Sequence, residues 1–461
     1  MRLPGHANPR HMRVNSELVV DKLANYFCYV LAGADNRSRY RPEPEPDGMT
    51  SRTIRNPSHL ARLLSRRAFV MGATALMLAG CALSGGGGEQ SQTSLSQTQA
   101  IVPTGSTLSG APVKVALLLP FGKAGDGAQV ATALKQAAEL ALFDVNGANI
   151  TLIPKDTLGT AQGAAAAAQA AVNEGAELIL GPLYAAEVQG AAPVARQANV
   201  PVLAFSSDRK VAGNGVYLLS FLAGDDIARV VAYAAANGKR GFAAIVPQTA
   251  YGSIVEQSFR AAAAKAGARV AAVEHFPVDA NAVADPVSRL KADFVANQKA
   301  GAPIDALLIP GGQDVLPIVA PMLPYNAIDT KSVRLLGSGG WNYPSIGQEA
   351  GLVGGWFAGP DPAAWTDFAA RYTKTYGAAP VRLASLAYDA VTLALSLATN
   401  PPGQRFTPDK LTRTSGFAGV DGLFRLRPDG TCERGLAILE VTKFGPHVID
   451  AAPSAFTVAQ F

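Results

Sequence analysis

Residue types suited to catalysis are sparse in this chain. After residue 81 the only histidines are His275 and His447, far apart and in no metal-ligand spacing, and no Gly-x-Ser-x-Gly elbow presents a nucleophilic serine. Gly122-x-x-Gly125-x-Gly127 follows an apolar run, but its glycine order is wrong for a dinucleotide fold. No Gly-Lys-Ser/Thr closes it as a phosphate loop, so a mobile loop is the plainer reading. A paired-carboxylate glycosidase is the one hydrolase the sequence leaves open, because sequence does not measure carboxylate separation. The expectation is therefore a protein that is not an enzyme and holds no metal or cofactor. Cys28, Cys81 and Cys432 are too few and too scattered for a disulfide framework.

Cys81 has a more specific setting. Arg66 and Arg67 precede a 13-residue uncharged run, Ala68 to Gly80, which is shorter than the roughly 20 apolar residues of a membrane span. Ser65-Arg66-Arg67-Ala68-Phe69 resembles the twin-arginine export consensus, and Leu78-Ala79-Gly80-Cys81 resembles a bacterial lipobox. That resemblance implies acylation of Cys81 as the first residue of the mature chain, with its acyl chains as a membrane anchor. Ala82 in the next position suggests the outer membrane in the sorting pattern of some bacteria. Residues 1–48, a Pro-rich charged stretch, then read as a doubtful extension, with Met49 the expected start and 49–80 the signal peptide. Residues 1–80 carry 12 Lys and Arg against 6 Asp and Glu, which is more than the whole excess of +5, so the remainder is near neutral. The basic balance is thus no argument for nucleic acid. Residues 81–111, with Gly85 to Gly88 and Ser/Gln/Thr repeats, read as a flexible tether.

From Val113 the chain alternates strands with helices. Val113 to Leu119 is nearly all apolar, as expected of a strand buried on both faces. Helices are expected over about 130–142, 161–173, 186–197, 254–266, 283–297 and 315–323. Strands fall near 150–153, 178–180, 202–205, 241–246, 269–273, 306–309, 333–336 and 436–441. Strands separated by helices of this length predict right-handed βαβ units in two α/β lobes with parallel sheets.

The order of several segments carries a family resemblance: LLLP ending at Pro120, LGPLYAAEV at 180–188, ANVPVLAFSSD at 198–208, GDD at 224–226, AYG at 250–252, GSGGWN at 337–342 and GVDGLFRLRPDG at 419–430. Together they resemble the leucine/isoleucine/valine-binding type of periplasmic binding protein. The resemblance implies the type I fold, two doubly wound parallel-sheet lobes joined by a three-stranded hinge. Crossings are expected near Ser220, Trp356 and Phe417, giving one lobe of 112–221 plus 356–414 and another of 222–355 plus 415–461. Ligand would lie between the lobes. The matching positions are Ser206 and Ser207 for a carboxylate, Asp225 or Asp226 for an ammonium, Tyr251 as a cleft aromatic, and Trp341 with Asn342 on a ligand-facing loop. Asp225 could equally cap a helix, and Trp341 could pack in the core or hinge.

One departure weighs against ordinary amino-acid binding. Where amino-acid binders of this family present small hydroxyl residues after the Gly-Pro turn, this chain has Leu183, Tyr184 and Ala185, and Tyr184 would fill or reshape the pocket. The arrangement is more similar to the lipoprotein activators of penicillin-binding proteins, which implies a peptidoglycan synthase as partner. The alternative is the receptor of an ABC permease for branched-chain amino acids or similar solutes. Either way the resemblance implies a lipid-anchored protein on the periplasmic side of the envelope.

Overall fold

The structure is a computed structural model in which residues 111–145, 149–279 and 282–456 are described. The doubtful extension, the signal segment, Cys81 and the tether up to residue 110 lie outside the described residues.

The first lobe begins with β1 (Val113–Leu119), whose residues other than Lys114 are all buried, because β2 and β3 flank it in the sheet and helices cover it. It continues through α1 (Asp126–Asp144), β2 (Ile150–Asp156), α2 (Ala161–Asn173), β3 (Leu178–Leu180), α3 (Ala185–Gln197), β4 (Val202–Ala204) and β5 (Val216–Leu218). The strands form a five-stranded parallel sheet in the order β2-β1-β3-β4-β5. Thr160 caps α2 by accepting from the Gly163 N–H at 3.0 Å. The alanines of α2 let α3 come close: a Cβ on Gly190 would stand 2.0 Å from the Ala161 carbonyl oxygen.

The second lobe comprises α4 (Asp225–Ala236), β6 (Gly241–Pro247), α5 (Ala250–Lys265), β7 (Arg269–Phe276), α6 (Ala284–Lys299), β8 (Ala306–Ile309), β9 (Arg334–Gly337) and β10 (Trp356–Gly359). The helix expected over 315–323 is instead two short turns, Leu316–Val319 and Met322–Tyr325, with Pro321 between them lacking the N–H a continuous helix needs. The chain then returns to the first lobe with α7 (Pro362–Tyr376) and α8 (Ala384–Ala398). Asp361 caps α7, Pro362 opens it and Gly377, at φ 76°, closes it. A three-stranded antiparallel sheet follows, formed by β11 (Phe417–Gly419), β12 (Gly422–Leu426) and β13 (Cys432–Arg434). Finally β14 (Ala437–Thr442) and β15 (Gly445–Asp450) add antiparallel edge strands to the second sheet, which runs β15-β14-β10-β9-β8-β6-β7.

Two of the expected lobe boundaries move. Trp356 to Gly359 is not the start of the return: Trp356 and Phe357 pair with Leu336 and Gly337 of β9, and the whole strand pairs with β14, so the second lobe extends through Gly359. Phe417 does not open the last second-lobe segment either. It stacks on Phe424 at 5.7 Å, and both join Leu426, Cys432 and the apolar face of α8 in the first lobe's core. The lobes are therefore joined near Ser220, Pro360 and Gly435, and the piece 415–434 assigned to the second lobe belongs to the first. Apolar burial decides this, since these aromatic rings find their partners only in the first core.

Candidate functional site

All three crossings line one cavity of about 80 Å³ between the lobes. Ser220 to Ala223 come from the first crossing, Ala358 to Pro360 from the second, and Arg434 with Leu436 from the third. The second lobe adds Asp225, Asp226, Tyr251, Asn342 and the strand-end glycines Gly311, Gly339 and Gly340, and the first lobe adds Arg382.

The second-lobe wall is the N-terminus of α4 and the turns after β8 and β9. Gly224 takes φ 97°, a left-handed conformation that a glycine adopts without strain, and so turns the chain into α4. Asp226 is a clasp: Oδ1 accepts from the Gly224 and Ile227 N–H groups at 3.2 and 2.9 Å, and Oδ2 from Gly339 N–H at 2.6 Å. Burial raises its pKa, while those backbone donors work against the rise. Asp225 reaches the other way, meeting Arg209 of the first lobe at 2.8 Å, so an ion pair spans the cleft. Burial also pushes the Asp225 carboxyl up, with Arg209 opposing. Tyr251 is buried in the first turn of α5 and Asn342 follows Trp341. Asp225, Asp226, Tyr251 and Asn342 are thus brought together at one cavity.

Trp341 is not. Its ring is fully buried, its Nε1–H donates to the Ile309 carbonyl at 2.9 Å, and it packs on Phe357 with ring centres 6.3 Å apart. A Cβ on Gly337 would stand 2.1 Å from the indole, so that glycine exists to admit the ring. Trp341 is core packing behind the wall.

Ser206, Ser207 and Tyr184 do not line the cavity. The Ser206 hydroxyl is buried and accepts from the Asp208 N–H at 3.2 Å, while Ser207 is exposed. Tyr184 starts α3, its backbone N–H donates to Glu187 Oε2 at 2.9 Å, and Lys123 Nζ lies 4.0 Å above its ring. Glu187 is itself fully buried, accepts from the Thr157 hydroxyl, and is pushed up in pKa by that burial.

Sequence reasoning missed the charged floor of the site. Arg382 pairs with Asp421, its Nη1 donates to Ser385 Oγ at 3.1 Å, and that hydroxyl donates to Asp421 Oδ2 at 2.6 Å. Asp389 Oδ1 accepts from the Val420 N–H at 2.7 Å, and its Oδ2 lies 3.8 Å from Arg434 Nη1. Arg434 Nε donates to the Ser220 carbonyl at 3.3 Å. Phe221, from the first crossing, faces both guanidiniums, at 5.1 Å from Arg382 and 4.5 Å from Arg434. Burial and the Asp421 charge push the Asp389 carboxyl well above the ordinary range. Burial also disfavours ionised Asp421, but Arg382 outweighs it and holds that carboxyl low. The overlooked signal was Asp389, the one charge in the otherwise apolar and alcohol-bearing helix ASLAYDAVTLALSLA.

Among the described residues no group of three or more His, Cys, Asp or Glu could hold a metal ion, and none of the described helices is long and apolar enough to cross a membrane. His275 is on the surface beside Glu256 at 2.7 Å, and burial raises the Cys432 thiol to about 11, which leaves it protonated and unreactive at neutral pH.

Two lobes with parallel-dominated sheets, three crossings and a cavity where those crossings meet define a binding protein of the hinged two-lobe class. Residues 112–446 match the periplasmic binding protein family, and the chain belongs to it, with the type I fold. A putative branched-chain amino acid ABC transporter protein from Rhodospirillum rubrum is similar in structure, with TM-score 0.62, 22% identity, and coverage of 73% of this chain and 100% of that one. An ABC transporter substrate-binding protein from Sphaerobacter thermophilus matches with TM-score 0.58, 18% identity and coverage of 75% and 99%. A solute-binding protein from Rhodopseudomonas palustris, solved with 3,4-dihydroxybenzoic acid, matches with TM-score 0.52, 19% identity and coverage of 76% and 99%. A comparison with curated protein sequences gave no match.

Proposed function

We propose that this chain is a non-catalytic, lipid-anchored envelope protein that has kept the binding-protein fold and acts by contact, as an activator of a penicillin-binding protein. The observation that carries this reading is the first-lobe wall. Leu183 is buried in the core, Tyr184 starts α3 beneath Lys123, and the Ser206 hydroxyl is held within its own turn. None of them lines the cavity, and Leu183, Tyr184 and Ala185 stand after the Gly-Pro turn where the family's amino-acid binders carry small hydroxyl residues. In this reading Cys81 carries the acyl chains that hold the protein at the periplasmic face, in the outer membrane as Ala82 suggests. The test is crosslinking in cells followed by purification of the chain. Recovery of a peptidoglycan synthase, and stimulation of its glycan polymerisation by the purified chain, is expected; capture of a permease instead would overturn the reading.

A second reading, the receptor of an ABC permease for a branched-chain amino acid or similar solute, is favoured by the convergence of Asp225, Tyr251 and Asn342 on one cavity. A ligand at 100 times its dissociation constant adds about 2.7 kcal/mol to the folded state. A saturable rise in melting temperature with one amino acid, abolished in Asp225→Ala, would support it.

A further inference from the structure

We propose that the first lobe carries a binding site at the end of its sheet away from the crossings, for a polyhydroxylated organic anion of the sugar-acid or sugar-phosphate type. The site is independent of both readings above, neither of which assigns a ligand to that end of the lobe.

A cavity of about 600 Å³ opens there, well within the roughly 300–1,000 Å³ of small-molecule sites. Its walls are the residues that lead into β3, β4 and β5 (Glu177, Pro201 and Gly215), the end of α3, and the loop Gly403 to Pro408. Arg405 pins that loop: its Nε donates to the Ala398 and Asn400 carbonyls at 3.2 and 3.1 Å, and its Nη1 donates to Glu177 Oε1 at 2.6 Å. Its Nη2 is left without a partner among the described residues, on a side chain only 13% exposed. Tyr217 enters from β5 with 6% exposure, and its hydroxyl makes no hydrogen bond among the described residues, so burial alone pushes its pKa up. Both residues line the cavity, and neither Nη2 nor the hydroxyl is sealed away from it. Polar groups held at this depth need partners, and here the cavity is the side from which a partner can come.

These donors set the charge of the occupant. Arg405 Nη2 and the Tyr217 hydroxyl can both donate, and Arg196 adds an exposed guanidinium at the rim, held only through Nε on the Asn214 carbonyl at 3.3 Å. Glu177 is the one acid of the lining and is already paired with Arg405, which leaves the charge of Arg196 over. A donor-rich site with a net positive charge suits a carboxylate or a phosphate. Asn199 and Asn214, in left-handed turns at φ 55° and 51° that asparagine tolerates, add carboxamides that both donate and accept, as hydroxyl groups require. Ala192, Ala195, Val202 and Phe406 supply an apolar floor for the carbon face of a ring.

The test is calorimetric titration of the full chain with glucuronate, with glucose 6-phosphate, and with glucose as the uncharged counterpart. Saturable binding of at least one of the two anions is expected, and which of them binds identifies the oxyanion. Arg405→Gln should weaken that binding roughly tenfold or more, and Tyr217→Phe, which keeps the ring and serves should Arg405→Gln fail to fold, by about threefold to tenfold. Asp225→Ala, in the cavity between the lobes, should leave it unchanged. No saturable response to either anion at millimolar concentration, equal binding of glucose, or a loss in Asp225→Ala with none in folded Tyr217→Phe would each overturn the proposal. None of these outcomes alters the synthase-contact experiment, so the two readings fail separately.

Discussion

Removing the charge of Asp421 should destabilise the first lobe more than any surface substitution. Asp421 is fully buried, accepts from Arg382 and from Ser385 Oγ at 2.6 Å, and ties the turn between β11 and β12 to the start of α8. Asp421→Asn preserves shape but leaves the Arg382 guanidinium, only 8% exposed, without its carboxylate. Breaking a buried pair from one side costs about 3–5 kcal/mol, most of it the penalty of the charge left behind. For a lobe of roughly 180 residues each kcal/mol moves the melting temperature by about 2–4 °C, so the expected fall is roughly 6–20 °C. Circular dichroism melts at neutral pH would show it. The double variant Arg382→Met with Asp421→Leu removes both charges and should recover much of the loss, because no ion is then stranded. The reasoning is refuted if Asp421→Asn melts within about 1 °C of the parent, or if the double variant falls as far as the single one.

Other outcomes follow from the same packing. Gly190→Ala should cost about 1–3 kcal/mol in urea unfolding, since the new methyl would meet the Ala161 carbonyl at 2.0 Å and push α2 from α3. Trp341→Ala should cost about 3–5 kcal/mol by the same measurement, because it empties a buried ring site and orphans the Ile309 carbonyl. Asp389 has a folded pKa pushed up to about 7, above its unfolded value of about 4, by burial first and by Asp421 next. The stability this carboxyl contributes when protonated is therefore complete below about pH 4 and lost as pH rises towards 7. Unfolding free energies measured at about pH 5 and pH 7.5 should drop more steeply in the parent than in Asp389→Asn, with Arg434, Arg382 and Asp421 as the charges that face it.

Much of the architecture was legible because it depends on local pattern. The apolar run Val113 to Leu119 reads as a strand buried on both faces, and it is one. The Ala-rich segment 161–173 reads as a helix with the bounds observed. Ordered landmarks from Pro120 to Gly430 were enough to indicate the family whose profile matches residues 112–446. Where local chemistry was mixed, the reading slipped: the apolar segment 315–323 looked continuous until Pro321 divided it, and the strands of 417–434, rich in Gly and Arg, gave no clear period.

The sequence by itself determined the class of fold, because strand and helix periods and turn residues act over a few positions and do not need the rest of the chain. It also placed Asp225, Asp226, Tyr251 and Asn342 as candidates, through ordered segments whose resemblance to the leucine/isoleucine/valine-binding family implied those positions. Only the tertiary structure decided which crossing falls where, that Trp341 serves the core, and that Arg382, Arg434, Asp389 and Asp421 form one buried cluster although 52 residues separate its ends. Burial and electrostatic pairing are properties of distance in space, and for residues brought together by different crossings that distance has no local trace in the chain.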